Sequence, residues 1–225
     1  MNRKNHAPLA EMIESGNRLQ FMRFLADLST RLVALPPNQV DDAIQQALVQ
    51  CLEYFKIDRL SLLKLLPDRM SFMVVCVTDV SGTYPYAGAT MTTSLVPWVS
   101  KKLINGEIVS FAKPEELPTE ADVDRQSFEL SFQIRSGTFV PIATLRSSEY
   151  SLGITSGNYN RNCRDEHIPQ LRLLGELFVN ALERIKAELD LRESEERLSL
   201  AASAAGTGLW IMDKNKRIVW ATQKF

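Results

Sequence analysis

Few residues in this chain are placed to make or break bonds. Cys51, Cys76 and Cys163 are its three cysteines, a set that cannot pair completely within one chain, and none sits in a CxxC. The two histidines, His6 and His167, are not spaced to complete a zinc set with them. Asp165-Glu166-His167 brings two carboxylates beside an imidazole. That trio opens a helical segment, where acidic residues complement the dipole, and no serine or cysteine nucleophile is assigned to it. A glycine-rich phosphate cradle is missing, as is a phosphoacceptor histidine followed by kinase boxes. No catalytic residue, metal ligand or cofactor is therefore identified, and these residues are not expected to form an enzyme. What remains is recognition chemistry. Arg125 carries a planar fork that suits a carboxylate or phosphate ligand, or equally an ion pair with a neighbouring carboxylate. Tyr84 and Tyr86 offer an aromatic lid with hydroxyls, or a proline-stiffened loop packed on itself.

The elements that would position such groups follow from the hydrophobic pattern. The chain has 225 residues, 45% hydrophobic, with a net charge of −1. That is enough for one domain and a further piece, and the charge balance speaks against a nucleic-acid face. Residues 1–16 read as a loose leader. From Asn17 to Leu35, Leu19, Met22, Leu25, Leu28, Leu32 and Leu35 step by three or four, one helical stripe. Pro36-Pro37 stops it. A second helix is expected with Asn38 as N-cap and Val40, Ile44, Leu48, Cys51 and Phe55 on its buried face.

Then the period changes. Leu60 to Leu65 and Phe72 to Val77 flank a Pro67-Asp68 turn and predict an antiparallel hairpin. The second run is apolar on both faces, so helices are expected on both sides of the sheet. Asp79 to Thr93 reads as a long loop. Val96 to Ile104 is a short helix and Glu107 to Phe111 a strand. A further helix starts with Thr119 as N-cap and ends near Ser136-Gly137. Thr138 to Ile142 and Tyr150 to Ser156 are strands. A long helix runs from about Asp165 to Ala204, and its stripe of Leu171, Leu174, Phe178, Ala181, Ile185 and Leu189 approaches a heptad. A homodimer is expected through the first and last helices, built as a parallel helical bundle, with that stripe in its interface. The longest apolar run is far too short to span a bilayer, and no signal-peptide core precedes it. A cytoplasmic protein with reduced thiols and no membrane insertion is expected.

This order of elements resembles a GAF domain, the sensor module of bacterial signalling proteins. The local matches are Val96-Pro97-Trp98 through Gly106-Glu107-Ile108-Val109, Glu116-Leu117-Pro118, Asp124-Arg125, and Ile134-Arg135-Ser136 before Val140-Pro141-Ile142. Leu191 to Leu198 is similar to the linker entering a PAS domain, and Ala205 to Trp210 with Asp213 to a PAS opening. The resemblance implies an α+β fold: a central antiparallel sheet of five or six strands, helices on both faces, and a long C-terminal signalling helix. It divides the chain into a leader (1–16), a GAF-like sensor domain (17–187), a helical linker (188–205) and the truncated start of a PAS domain (206–225). A sensor histidine kinase is the implied setting, with downstream domains in cis as partners.

The family's ligand signatures are missing, however. There is no Asn-Lys-Phe-Asp-Glu motif of cyclic-nucleotide binders. Cys163 is followed by Arg164 rather than by the histidine of bilin-anchoring domains, and the Arg-Trp pair before the final helix is absent. The resemblance implies a mostly apolar pocket between the sheet and the segment from Tyr84 to Phe132. Trp98, Phe132 and Phe139 would border it, with Arg125, Thr138 and a loop hydroxyl as polar anchors; alternatively, Trp98 is a core residue. Three functions are compatible: a ligand-sensing regulatory module, a dimerisation module with an empty pocket, and a thiol-dependent methionine sulfoxide reductase.

Overall fold

Two prolines separate the first two helices, α1 at Ala7–Ala34 and α2 at Pro37–Phe55. These ranges come from a computed structural model, which describes residues 7–80, 87–144, 149–157, 167–204 and 210–221. Helix α1 begins at Ala7, so residues 7–16, expected as a loose leader, are helical. Gly16 is the weak point of that stretch, and one glycine costs a helix only about 1 kcal/mol. Asn38 is not the N-cap of α2. The helix starts two residues earlier than that cap implies, with Pro36 extended at the cap and Pro37 in the first turn, where its missing N–H costs nothing. The expected apolar face, from Val40 to Phe55, is buried throughout.

The next two elements are β1 (Arg59–Leu65) and β2 (Ser71–Asp79), paired as an antiparallel hairpin. Four more strands complete the sheet: β3 (Thr90–Thr92), β4 (Val109–Phe111), β5 (Ser136–Ile142) and β6 (Tyr150–Ser156). Their order is β3-β2-β1-β6-β5-β4, antiparallel throughout. Strand β3 lies inside the segment expected as a loop.

Period-two alternation assigns each side chain to a face. Leu60, Leu62, Val140, Leu152 and Ile154 share one face; Arg59, Ser61, Leu63, Phe139 and Thr155 share the other. One bulge modifies this. Leu62 pairs with Cys76 but Leu63 with Val74, so Val75 is an extra residue in β2. Phe72 and Val74 therefore face the same side as Val77, while Cys76 turns towards α2.

Helices cover both faces, as the two-sided hydrophobicity requires. On one face lie α2, with α1 packed on it through Phe21, Tyr54 and Phe55, and the start of α5 (Ile168–Ala204). Gly175 brings α5 close: a Cβ there would sit 2.5 Å from Ile142 Cδ1. On the other face lie α3 (Pro97–Ile104) and α4 (Asp122–Gln126), the latter preceded by a 3₁₀ turn and continued by a wider π turn at Ser127–Ser131. Thr119 makes no capping bond, and Ser136-Gly137 opens β5 instead of ending a helix.

The chain divides into two units after Ala181. In the first, Leu171, Leu174 and Phe178 are wholly buried and Ala181 nearly so. These four cover the chain's own sheet, which corrects their expected place in a dimer interface. In the second, Ile185 is half-buried and Leu189 is 53% exposed. That unit also holds a hairpin, β7 (Trp210–Met212) and β8 (Ile218–Ala221). Asp213 Oδ1 closes its turn by accepting from the amides of Asn215 (2.7 Å) and Arg217 (2.9 Å). Trp210, Ile211, Met212, Ile218 and Val219 are exposed, so both hairpin faces lack cover. Among the described residues no helix is long and apolar enough to cross a membrane.

Candidate ligand pocket

Between the sheet and the α3–α4 layer lies a cavity of about 240 Å³. Its floor is built by strand alternation: Arg59, Ser61 and Leu63 from β1, Thr155 from β6, Phe139 from β5, and Phe72, Val74 and Val77 from β2. The opposing wall comes from helical spacing. Val96, Val99, Ser100 and Leu103 recur at three and four residues along α3 and its entry, and Phe128 and Phe132 follow from the π turn. Leu95 and Met91 stand at the more exposed side. Floor and wall meet through aromatic stacking: Phe128 and Phe139 lie 14° from parallel at 5.9 Å, and Phe111 stacks on Phe128 at 5.1 Å.

Glycine lets the Phe139 ring lie close to the sheet. A Cβ on Gly153 would meet Ser61 Oγ at 2.9 Å and the Phe139 ring at 3.3 Å. The aromatic ring thus lies across bare backbone.

A single buried carboxylate holds the α3 wall in place. Asp124 in α4 is fully buried; its Oδ1 accepts from the Val99 amide at 2.8 Å and its Oδ2 from the Trp98 amide at 3.1 Å. These are the first-turn amides of α3, which have no partner within the helix. Burial pushes the Asp124 carboxyl above the usual aspartate range, and the two backbone hydrogen bonds pull it partly back.

The polar end of the cavity lies on the sheet. Arg59 Nη2 is 3.7 Å from Asp79 Oδ2, and both side chains are largely buried. Arg59 Nη1 donates to Thr155 Oγ1 at 3.4 Å, and Ser61 Oγ donates to the Gly153 carbonyl at 3.3 Å.

Of the residues the sequence nominates, Phe132 and Phe139 line the cavity. Trp98 does not. Half-buried, it packs against the hydrophobic core of the α3–α4 layer, and the Nζ of Lys102, one turn on, lies 5.6 Å from the indole centroid. Arg125 pairs with Asp122 on its own helix, the ordinary alternative for that side chain. Thr138 faces away from the cavity and shares a hydrogen bond of 3.0 Å with Ser110, because it neighbours Phe139 and adjacent strand residues point oppositely. Tyr84 and Tyr86 lie outside the described residues, as do Cys163 and Asp165-Glu166. Arg59, Ser61 and Thr155 were not nominated. The signal was present in the alternation Arg59-Leu60-Ser61-Leu62, which places the polar pair on one strand face. Cys51 and Cys76 are buried, and burial pushes both thiols up to about 12.

Comparison with solved structures agrees with this architecture. The phycoerythrobilin-bound GAF domain of a cyanobacterial phytochrome superposes with a TM-score of 0.59 at 14% identity, covering 75% of this chain and 96% of that one. The GAF domain of a two-component sensor histidine kinase from Bacillus halodurans gives 0.50 at 15% identity, covering 65% and 96%. This is the GAF fold. Free methionine-R-sulfoxide reductase from Neisseria meningitidis, in complex with its substrate, matches as well, at a TM-score of 0.54 and 12% identity over 75% and 91%. No protein-family model matches the sequence, and no curated protein does. In the GAF fold of this chain, the cavity therefore sits on the sheet face opposite α2 and the start of α5.

Proposed function

We propose that this chain is a ligand-sensing regulatory module that passes its signal along α5 to a following domain of PAS type, in a signalling protein such as a sensor histidine kinase. The observation that carries this reading is the mostly apolar cavity with a few convergent polar groups, the usual composition of a small-molecule site. The GAF neighbours from a phytochrome and a sensor kinase support it. The PAS portion is supported by the Asp213 turn and by a hairpin that lacks cover on both faces. Thiol catalysis of the reductase type draws no support from Cys51 or Cys76, since a thiol held near 12 supplies almost no thiolate at neutral pH.

The test is a broad metabolite screen by thermal shift on the full chain, beside an Ala89→Leu variant that narrows the cavity. A ligand that raises Tm in the wild type but not in Ala89→Leu, and alters hydrogen exchange in α5, supports sensing. A ligand biases α5 only through differential affinity for two arrangements. With no ligand found, and Ala89→Leu simply more stable, the module is a dimerisation device. That second reading has its own observation in the exposed leucines of distal α5, Leu189, Leu191 and Leu198.

A further inference from the structure

The cavity is most polar at one end. Arg59, Ser61 and Thr155 meet on the floor there, while Leu63, Phe72 and Val74 close the floor at the other. Ser100, in the opposing wall, donates its hydroxyl to the Thr93 carbonyl at 3.5 Å. Among the described residues Arg59 is the one charged side chain in the lining, and Asp79 stands 3.7 Å from its guanidinium. An anionic ligand would meet a cation whose charge is already answered and would bring an unmatched negative charge into a mostly apolar site. Charge balance thus selects a neutral molecule.

The two hydroxyls define its polar group. Thr155 Oγ1 accepts from Arg59, which leaves its O–H to donate into the cavity. Ser61 Oγ donates to the Gly153 carbonyl, which leaves its oxygen lone pairs to accept. One donor beside one acceptor matches a head that both accepts and donates. A carboxamide or lactam does so; a carboxylate only accepts.

Size and shape come from the rest of the wall. A volume of 240 Å³ is about eight times the share of one liquid water, and bonded carbons pack closer than separate waters. Phe72, Phe128, Phe132 and Phe139 line it, which suits an aromatic body. We propose that the pocket takes a neutral, mostly apolar molecule of about ten non-hydrogen atoms with an aromatic body and one carboxamide-like or lactam-like head. The inference rests on the sensing reading, since it names the ligand class of that same cavity.

Three probes with one phenylpropene body isolate the head: cinnamamide, cinnamate and trans-propenylbenzene. Their affinities for the full chain are measured by ligand-detected NMR titration. Cinnamamide is expected to bind at least about tenfold tighter than either of the others, and the Ser61→Ala/Thr155→Val variant to lose about tenfold in amide affinity. The hydrocarbon should lose at most about twofold on the same substitution, because it uses neither hydroxyl. Cinnamate or the hydrocarbon matching the amide overturns the inference and leaves the sensing reading standing. Failure of all three to bind overturns the ligand class, and the metabolite screen then decides the sensing reading separately.

Discussion

Asp124 ties two elements together with one carboxylate, accepting both first-turn amides of α3 from a position in α4. Replacing it with alanine leaves two buried N–H groups unpaired, at a cost of about 1–3 kcal/mol for each. Asp124→Ala should therefore lower stability in urea titration by at least about 2 kcal/mol, and Asp124→Asn, which keeps an acceptor oxygen, by less. The pH dependence separates them further. Burial raises the folded-state pKa above the unfolded one, so the folded chain holds more protons between the two values. The stabilising contribution of Asp124 is then full below the ordinary aspartate pKa and is lost as pH rises through the raised one. Wild-type stability minus that of Asp124→Asn should fall with rising pH across that window; a flat difference would mean the carboxyl titrates normally. The candidate site was only partly legible at this scale. Phe132 and Phe139 could be nominated because the resemblance to a GAF domain implies a pocket between the sheet and the helical segment that ends at Phe132. Thr138 could not be excluded without the register, which turns it to the other face from Phe139. Asp124 stood in plain view beside Arg125, yet its role depends on a contact between segments that no local spacing encodes.

Elements meet here through a few close approaches, and Gly175 is the tightest. The α5 backbone lies on Ile142, leaving no room for a methyl group: the added Cβ would be 2.5 Å from Cδ1 and 2.8 Å from Cγ1. Gly175→Ala gains about 1 kcal/mol in helix propensity but forces Ile142 aside. Ile142→Ala alone should cost about 2–5 kcal/mol. In the double variant the new methyl occupies part of the vacated space, so the loss should fall short of the sum by about 1 kcal/mol or more in a thermal or urea double-mutant cycle. Strict additivity would show that the helix lifts instead of pressing. Elements with a long, clean period were legible: α2 buries its whole expected stripe, and β6 spans the expected Tyr150–Ser156. Short ones were not. Strand β3 has three residues, too few to display alternation, and borrows its structure from pairing with β2. The caps at Asn38 and Thr119 failed because proline at the preceding positions set the backbone first. The bulge at Val75 was equally invisible, since one extra residue in an all-apolar run leaves no mark on the pattern.

At the scale of the whole molecule the open question is which surface a second copy would use. The apolar stripe of α5 does not serve along its full length, because Leu171, Leu174 and Phe178 are spent on the chain's own core. Farther along, Ala187, Leu191, Ser194, Leu198 and Ala201 recur at alternating four- and three-residue steps, and all are exposed. Leu191 is 62% and Leu198 51% accessible. Leucines alternating with small residues form a seam that a second helix could cover. The ion pairs beside it, Arg184–Glu188, Arg192–Glu196 and Glu193–Arg197, are all within the helix and exposed. Each is worth about 0.3–0.5 kcal/mol, enough to support the helix and too little to replace apolar cover. A homodimer along this distal seam is the expected state. Two buried leucines contribute about 1.5–3 kcal/mol each, so Leu191→Glu/Leu198→Glu should weaken dimerisation by at least about a hundredfold in sedimentation velocity. The cavity-bearing unit should keep its melting transition in that variant, since neither leucine belongs to its core. Leu174→Glu supplies the contrast: it buries a charge beneath α5 and should unfold that unit whatever the oligomeric state. A wild-type chain that sediments as a monomer at high micromolar concentration would remove the seam from consideration, and with it the dimerisation reading.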